Sequence, residues 1–305
     1  MVPRGSKRLQ LIAFSLLCFV PYLNGQDKNS GVPTFKVYVT TVFVKVSVAD
    51  PLNRYVTGLE KQYFSVYEDN VKQSISHFSQ QSAPVSVGII FDISGSMAIK
   101  LNIEKAKIQI FEFLKEGNPG DEYFLITFNE KVDLVQAFRD ETAALQNHIF
   151  IQQAGGATAL YDAVYRGLDE VKKGRNEKKA LILITDGEDN TSRYRPAEIR
   201  EFCRESNVQI YSIGLLGPEG YGESLIKDLS DVTGGRAFFP SNLDEVDYFI
   251  GLVHTELRNQ YLLGYTPTNI SHNGKWRRIR VKLDKPRGFP KLSVRAREGY
   301  YARKD

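Results

Sequence analysis

The stretch Val85-Ser86-Val87-Gly88-Ile89-Ile90-Phe91-Asp92-Ile93-Ser94-Gly95-Ser96-Met97 decides how this chain is read. A nearly unbroken apolar run ends on a carboxylate, then on two hydroxyls separated by one glycine. A helical period follows over 103–114. Strands that are almost wholly apolar are those buried on both faces, as in a parallel sheet. The same texture recurs at 123–128, 181–185, 209–215 and 236–239. Between these strands, apolar residues fall at three- and four-residue spacing over 160–171, 197–205 and 225–232. Residues 132–138 alternate instead and follow another strand closely, which predicts an antiparallel edge. A last helix, from Leu243 to about Arg258, closes the unit near Gln260. The pattern predicts an α/β fold with a doubly wound, mostly parallel sheet.

Working outward, the flanks are β-rich. Residues 35–39 and 42–48 read as strands, Asp50-Pro51-Leu52-Asn53 as a turn, and 63–67 as a strand entering a turn at Glu68-Asp69-Asn70, with 75–78 returning. Beyond the α/β unit, strands are predicted at 261–265, 276–283 and 291–296, with turns at Asn273-Gly274 and Arg287-Gly288. Neither flank has strands enough for its own core, whereas together they make one sandwich. The expected organisation is an N-terminal part of a β domain over 26–83, an inserted α/β domain over 84–260, and the rest of the β domain over 261–305.

The chemistry gathers at strand ends, where ligands of doubly wound sheets bind. Asp92, Ser94 and Ser96 leave one strand. Asp186 leaves another in Leu183-Ile184-Thr185-Asp186-Gly187, and Thr158 precedes a helix in Gly155-Gly156-Ala157-Thr158-Ala159-Leu160. Carboxylate and hydroxyl oxygens are hard donors, suited to Mg²⁺, Ca²⁺ or Mn²⁺. Alone, Asp-x-Ser-x-Ser also describes a helix cap; the three loops in order say more. Asp162, Glu188 and Asp189 are candidates for a supporting role around the cation. A first-turn helix charge explains Asp162 equally well, and a solvated acidic loop explains the other two. The four histidines show no ligand spacing, Cys203 reads as a buried thiol, and Trp276 is expected to pack within the β domain.

These residues resemble the von Willebrand factor type A domain family. Asp92, Ser94, Ser96, Thr158 and Asp186 match the five positions of its metal-ion-dependent adhesion site. Leu160-Tyr161-Asp162-Ala163, Ile210-Tyr211-Ser212-Ile213-Gly214 and Thr233-Gly234-Gly235 add to the match. The flanks resemble a bacterial secreted "VWFA-related" subgroup through Val56-Thr57-Gly58-Leu59, Phe64-Ser65-Val66-Tyr67-Glu68-Asp69 and Tyr261-Leu262-Leu263-Gly264-Tyr265-Thr266-Pro267. The resemblance implies that Ser94, Ser96 and Thr158 present hydroxyls to Mg²⁺ (or Mn²⁺ or Ca²⁺), with Asp92 and Asp186 acting directly or through water. A protein or envelope ligand would complete the shell with an Asp or Glu carboxylate. It also implies that the last helix couples site and distal surface, with Ile250 or Leu252 as packing residues.

The function expected is therefore a secreted, divalent-cation-dependent binding or adhesion module, not an enzyme. A structural or assembly component of the cell envelope is the alternative. A metal-dependent hydrolase would need Glu188 as its base. Gly-x-Ser-x-Gly, phosphate-loop and His-Glu-x-x-His motifs do not occur. Arg4, Lys7 and Arg8 before an apolar run to Val20 read as a signal peptide over residues 1–25, with an uncleaved anchor as the alternative. The location expected is secreted, periplasmic or cell envelope, with no transmembrane span in the mature chain.

Of the formal +4 charge, three units lie in residues 1–25. Residues 84–262 hold 19 basic and 28 acidic residues, net −9, whereas residues 275–305 hold 12 and 3, net +9. Arg278, Arg280 and Lys282 alternate with Ile279, Val281 and Leu283, which puts the cations on one strand face. A solvated face, docking onto the acidic domain, and an anionic polymer all fit that face. Nucleic acid is not expected, because interleaved aromatics are missing from this strand.

Overall fold

The computed structural model describes residues 41–80, 82–215, 222–284 and 288–304. The signal-peptide reading, the strand expected at 35–39 and Arg287 of one expected turn lie outside them. In chain order the sandwich opens with β1 (Val42–Ala49), β2 (Phe64–Glu68), β3 (Val71–Gln73) and β4 (Ile75–Gln80). The α/β unit follows as β5 (Val85–Asp92), α1 (Asn102–Lys115), β6 (Glu122–Phe128), β7 (Val132–Arg139), α2 (Ala143–Phe150), α3 (Leu160–Glu170) and β8 (Lys178–Thr185). It continues through α4 (Pro196–Glu205), β9 (Gln209–Gly214), α5 (Glu223–Val232), β10 (Arg236–Phe238) and α6 (Leu243–Arg258). The chain then returns to the sandwich as β11 (Tyr261–Tyr265), β12 (Trp276–Leu283), β13 (Ser293–Ala296) and β14 (Gly299–Tyr301).

The central sheet has six strands in the order β10-β9-β8-β5-β6-β7. All its pairings are parallel except β6–β7, so the alternating segment is the antiparallel edge expected. Val87, Ile89 and Phe91 face a core shared with α1, α2 and α6. Ile90 faces the opposite core, with α3, α4 and α5. Every residue of β5 is buried, which is why its sequence reads as a continuous apolar run. Gly88 is required there, because a Cβ would overlap the Phe124 ring. Ile250 and Leu252 of α6 are buried in the first core. His254 is also buried, its Nε2 2.7 Å from the Phe113 carbonyl. Cys203 sits in the second core, where burial pushes its thiol up to about 12.

Both flanks build one sandwich of two four-stranded sheets, β13-β1-β11-β4 and β14-β12-β2-β3. Val44, Val46, Phe64, Val66, Tyr261, Leu263 and Ile279 form its core. Asp69 and Asn70 carry the positive φ of the tight turn expected there, at 47° and 68°. The strand that returns from it is β3, not 75–78: Val66 opposes Gln73. After Ser74 the chain crosses to the other sheet, where β4 pairs with β11. The helix α2 and strand β14 are absent from the sequence reading. Trp276 does not pack within the sandwich alone, because the Arg204 guanidinium of α4 stacks 3.8 Å from its ring centroid. No helix among the described residues is long and apolar enough to cross a membrane.

At the seam between sandwich and α/β unit, Lys45 of β1 has no carboxylate partner among the described residues. Its ammonium lies 3.5 Å from the carbonyls of Lys179 and Asn207. Burial, with Lys178, Arg297 and Lys179 nearby, pulls its ammonium down to about 8. A base whose folded value is lowered costs stability in full below that value, and the cost fades as pH rises towards the unfolded 10.4. Lys45→Met is therefore expected to stabilise the fold by about 1–2 kcal/mol at pH 7. Urea unfolding at pH 7 and 9.5 should show the gap between the two proteins narrowing at the higher pH.

Candidate functional site

Three loops meet at the carboxyl ends of β5 and β8, stitched together by their backbones. The Gly155 N–H donates to the Ile93 carbonyl at 2.8 Å, and the Gly95 N–H donates to that of Gly156 at 2.9 Å. The Asn190 N–H returns to the Thr158 carbonyl at 3.0 Å, while Asn190 Oδ1 accepts from the Thr158 N–H at 2.8 Å. Gly156 holds a φ of 84°, and a Cβ there would overlap the Glu130 carboxylate. Substitution at this position is strained on both counts.

Within this frame Asp92, Ser94, Thr158 and Asp186 are buried and Ser96 is half-buried. Asp92 Oδ1 accepts from the Ser94 N–H at 2.8 Å, and its Oδ2 accepts from the Thr185 hydroxyl at 2.6 Å. Thr185 Oγ1 in turn accepts from the Gly187 N–H at 3.0 Å. The Ser94 and Ser96 hydroxyls lie 3.1 Å apart. Asp186 Oδ1 is buried without a hydrogen-bond partner among the described residues. Burial pushes the Asp92 carboxyl up to about 6 against its hydrogen bonds from Ser94 and Thr185, and the Asp186 charge adds to the rise.

Two buried carboxylates, one with an orphaned oxygen, beside a cluster of hydroxyls form an incomplete electrostatic arrangement. A hard divalent cation would supply the missing positive charge, and the oxygen-only donor set suits one. The described residues include no grouping of three or more His, Cys, Asp or Glu side chains that would hold a metal. The donor set here leans on hydroxyls, with only two carboxylates near the centre.

The supporting candidates divide. Asp162 Oδ1 accepts from the Arg193 N–H at 3.0 Å, and its Oδ2 accepts from Arg193 Nε at 2.8 Å, tying α3 to the loop after Asp186. Asp189 Oδ2 accepts from the Tyr161 N–H at 3.1 Å and from the Ser192 hydroxyl at 2.6 Å, satisfying a donor at the start of α3. Glu188 is exposed at the rim. Thr185, Asn129 and Glu130 escape the sequence reading. Asn129 Nδ2 donates to the Gly155 carbonyl at 3.0 Å, and Glu130 Oε2 accepts from the Ala157 N–H at 3.2 Å. Of these, Thr185 carried a sequence signal, as the hydroxyl that ends its strand next to Asp186.

The family model of the von Willebrand factor type A domain matches residues 86–251. Inter-alpha-trypsin inhibitor heavy chain H3 of Pongo abelii is 27% identical over 158 residues, covering 46% of this chain and 18% of that protein. The chain therefore spans less than a fifth of that relative. An uncharacterized protein of Borreliella burgdorferi is 24% identical over 191 residues, covering 53% of this chain and 55% of its own. Among solved structures, proximal thread matrix protein 1 of the mussel byssus, with a zinc-occupied MIDAS motif, superposes with a TM-score of 0.51 at 21% identity. That superposition covers 62% of this chain and 49% of that one.

Proposed function

Because the chain belongs to the von Willebrand factor type A domain family, we propose that it is a divalent-cation-dependent binding module. Asp92, Ser94, Ser96, Thr158 and Asp186 hold the cation. The observation that carries this reading is the buried, unpartnered Asp186 Oδ1 beside the buried Asp92 and its hydroxyl neighbours. Mg²⁺ is the first choice, with Mn²⁺ or Ca²⁺ next, since all three take oxygen donors. When bound, the cation offers one open position to a ligand carboxylate. The chain's own part is to hold three hydroxyls and two carboxylates in fixed loops, so that few negative charges neutralise the ion. Asp162 and Asp189 support the reading as residues that position the Thr158 and Asp186 loops.

Binding is favoured over turnover because Glu188, the base a hydrolase would use, lies exposed on a rim. The same proposal takes residues 84–260 as a unit inserted into a β domain of 26–83 and 261–305. Export to the envelope or beyond rests on the basic-then-apolar run before residue 21. The test is a thermal melt titrated with Mg²⁺ and Mn²⁺ and reversed by EDTA. At a free concentration near 100 times the dissociation constant the gain should be about 2.7 kcal/mol. Identical melts with and without the ions would reject the reading.

A further inference from the structure

The outer face of the β14-β12-β2-β3 sheet carries a charge pattern that the cation site does not use. Residues directly opposite in an antiparallel pair share a face. Arg280 of β12 opposes Tyr67 of β2, and Tyr67 opposes Lys72 of β3. Lys282 opposes Ser65, and Arg278 opposes Gly299. Lys72, Arg278, Arg280 and Lys282 are all exposed on this face. Ile279 and Phe64, which alternate with these residues along β12 and β2, lie in the core on the other side.

Among the described residues no carboxylate pairs with any of these four side chains. Asp69, at the turn beside them, is already engaged. Its Oδ1 accepts from the Arg278 N–H at 2.9 Å, and its Oδ2 lies 3.6 Å from Arg277 Nη1. The acidic α/β unit meets this sheet elsewhere, through Arg204 on Trp276 and Arg200 near Glu298. Docking onto the acidic domain therefore does not account for the four cations.

From Arg278 to Lys282 the cations run along about 13 Å of strand, and Lys72 sits two strands away, about 10 Å across. The footprint is elongated and, among the described residues, free of carboxylate partners, which fits a linear chain better than a small molecule. A single exposed ion pair contributes little. A useful gain needs a densely charged polymer whose counterions are released on contact. Arginine forks match phosphate oxygens in pairs. The structure also places an aromatic ring here that the strand sequence alone does not reveal. That ring, Tyr67, is covered by Lys282, whose ammonium lies 4.9 Å from its centroid. It therefore offers no open platform for stacking a base.

We propose that this face binds a linear phosphate polymer independently of the divalent cation. The experiment measures binding of the full chain to long-chain inorganic polyphosphate in EDTA, over a range of salt concentrations. Binding should weaken with a log–log salt slope of about −3. The double variant Arg280→Glu with Lys282→Glu should lose at least tenfold in affinity and flatten that slope, with an unchanged circular dichroism spectrum. Asp186→Ala should bind polyphosphate like the parent. Failure of the cation reading would leave this result untouched. Absence of polyphosphate binding, or binding indifferent to the charge reversal, overturns the proposal. Equal binding of poly-glutamate overturns the choice of phosphate. Tighter binding of single-stranded DNA would make nucleic acid the occupant instead.

Discussion

Replacing Asp186 with alanine is expected to separate two effects that usually move together. In EDTA the variant should melt at or above the parent temperature, yet Mg²⁺ should no longer raise it. The reason lies in the orphaned Oδ1: a buried carboxylate without a partner, near Asp92, destabilises the metal-free protein. Alanine removes that penalty and also removes a donor of the proposed cation site. Cation affinity, read by calorimetry with Mn²⁺, should fall by at least about 100-fold. Ser94→Ala should also weaken the cation, but without the metal-free gain, because the Ser94 N–H that holds Asp92 is a backbone group. A purely structural Asp186 would behave in the opposite way, with the variant melting lower in EDTA and still responding to Mg²⁺.

The second large effect is expected far from the cation, at Asp121. Its Oδ1 accepts from the Val85 N–H at 2.9 Å and from Arg258 Nη1 at 3.0 Å. Its Oδ2 accepts from the Asn118 N–H at 2.8 Å and from Arg258 Nη2. One buried carboxylate thus joins the first residue of β5 to the last residue of α6, where the chain enters and leaves the α/β unit. Asp121→Ala strands a largely buried guanidinium and two backbone donors. Loss of one partner of such a pair costs about 3–5 kcal/mol. At this chain size that is roughly a 10 °C fall in melting temperature. Adding Arg258→Met should recover part of the loss, because the unpaired charge goes with it.

The same carboxylate predicts an acid limb. Burial works to raise its pKa, but Arg258 and the Asn118 and Val85 N–H groups outweigh that and hold it below the ordinary range. Its contribution is complete above the unfolded value of about 3.9 and fades as pH falls from there towards the folded value. The alanine variant should therefore lose less stability than the parent between pH 5 and 2. Equal acid slopes would contradict that assignment.

Much of the fold is legible because burial writes itself into composition. The strand before Asp92 is apolar throughout because α1 covers one face and α3 the other. The edge strand β7 alternates because Val132, Leu134 and Phe138 pack partly buried on the core while Asp133, Ala137 and Arg139 are exposed. What escapes is decided by contacts between distant segments. Ser74 ends one strand and starts another in the opposite sheet, a choice made by β11 and invisible within residues 71–80. The helix α2 is short and buries only Leu145 and Ile149, too few to establish a period. Trp276 turns to α4 because Arg204 is there to receive it.

The site divides in the same way. Residues that face the proposed cation stand at strand ends in recognisable order. Those that hold the loops, such as Asn129 on Gly155 or Glu130 on Ala157, lie 26 and 27 residues from their partners. Their types are common, and nothing local distinguishes them. The basic face was half legible. Alternation along β12 gives three of its cations, but Lys72 and Tyr67 join them only through the register of β2 with its two neighbours.

Gln80 and Tyr261 oppose one another in the ladder between β4 and β11. The chain therefore departs for the α/β unit and comes back at neighbouring points of one sheet, as if the unit were an enlarged hairpin tip. Under tension, a strand pair held at its open end carries load through the ladder and leaves the tip slack. A pull on the chain from outside residues 41–304 passes through the sandwich strands first. The loops around Asp92, Thr158 and Asp186 then keep their spacing until β4 and β11 are peeled apart. For the binding module proposed above, that is a mechanical fuse placed upstream of the cation site.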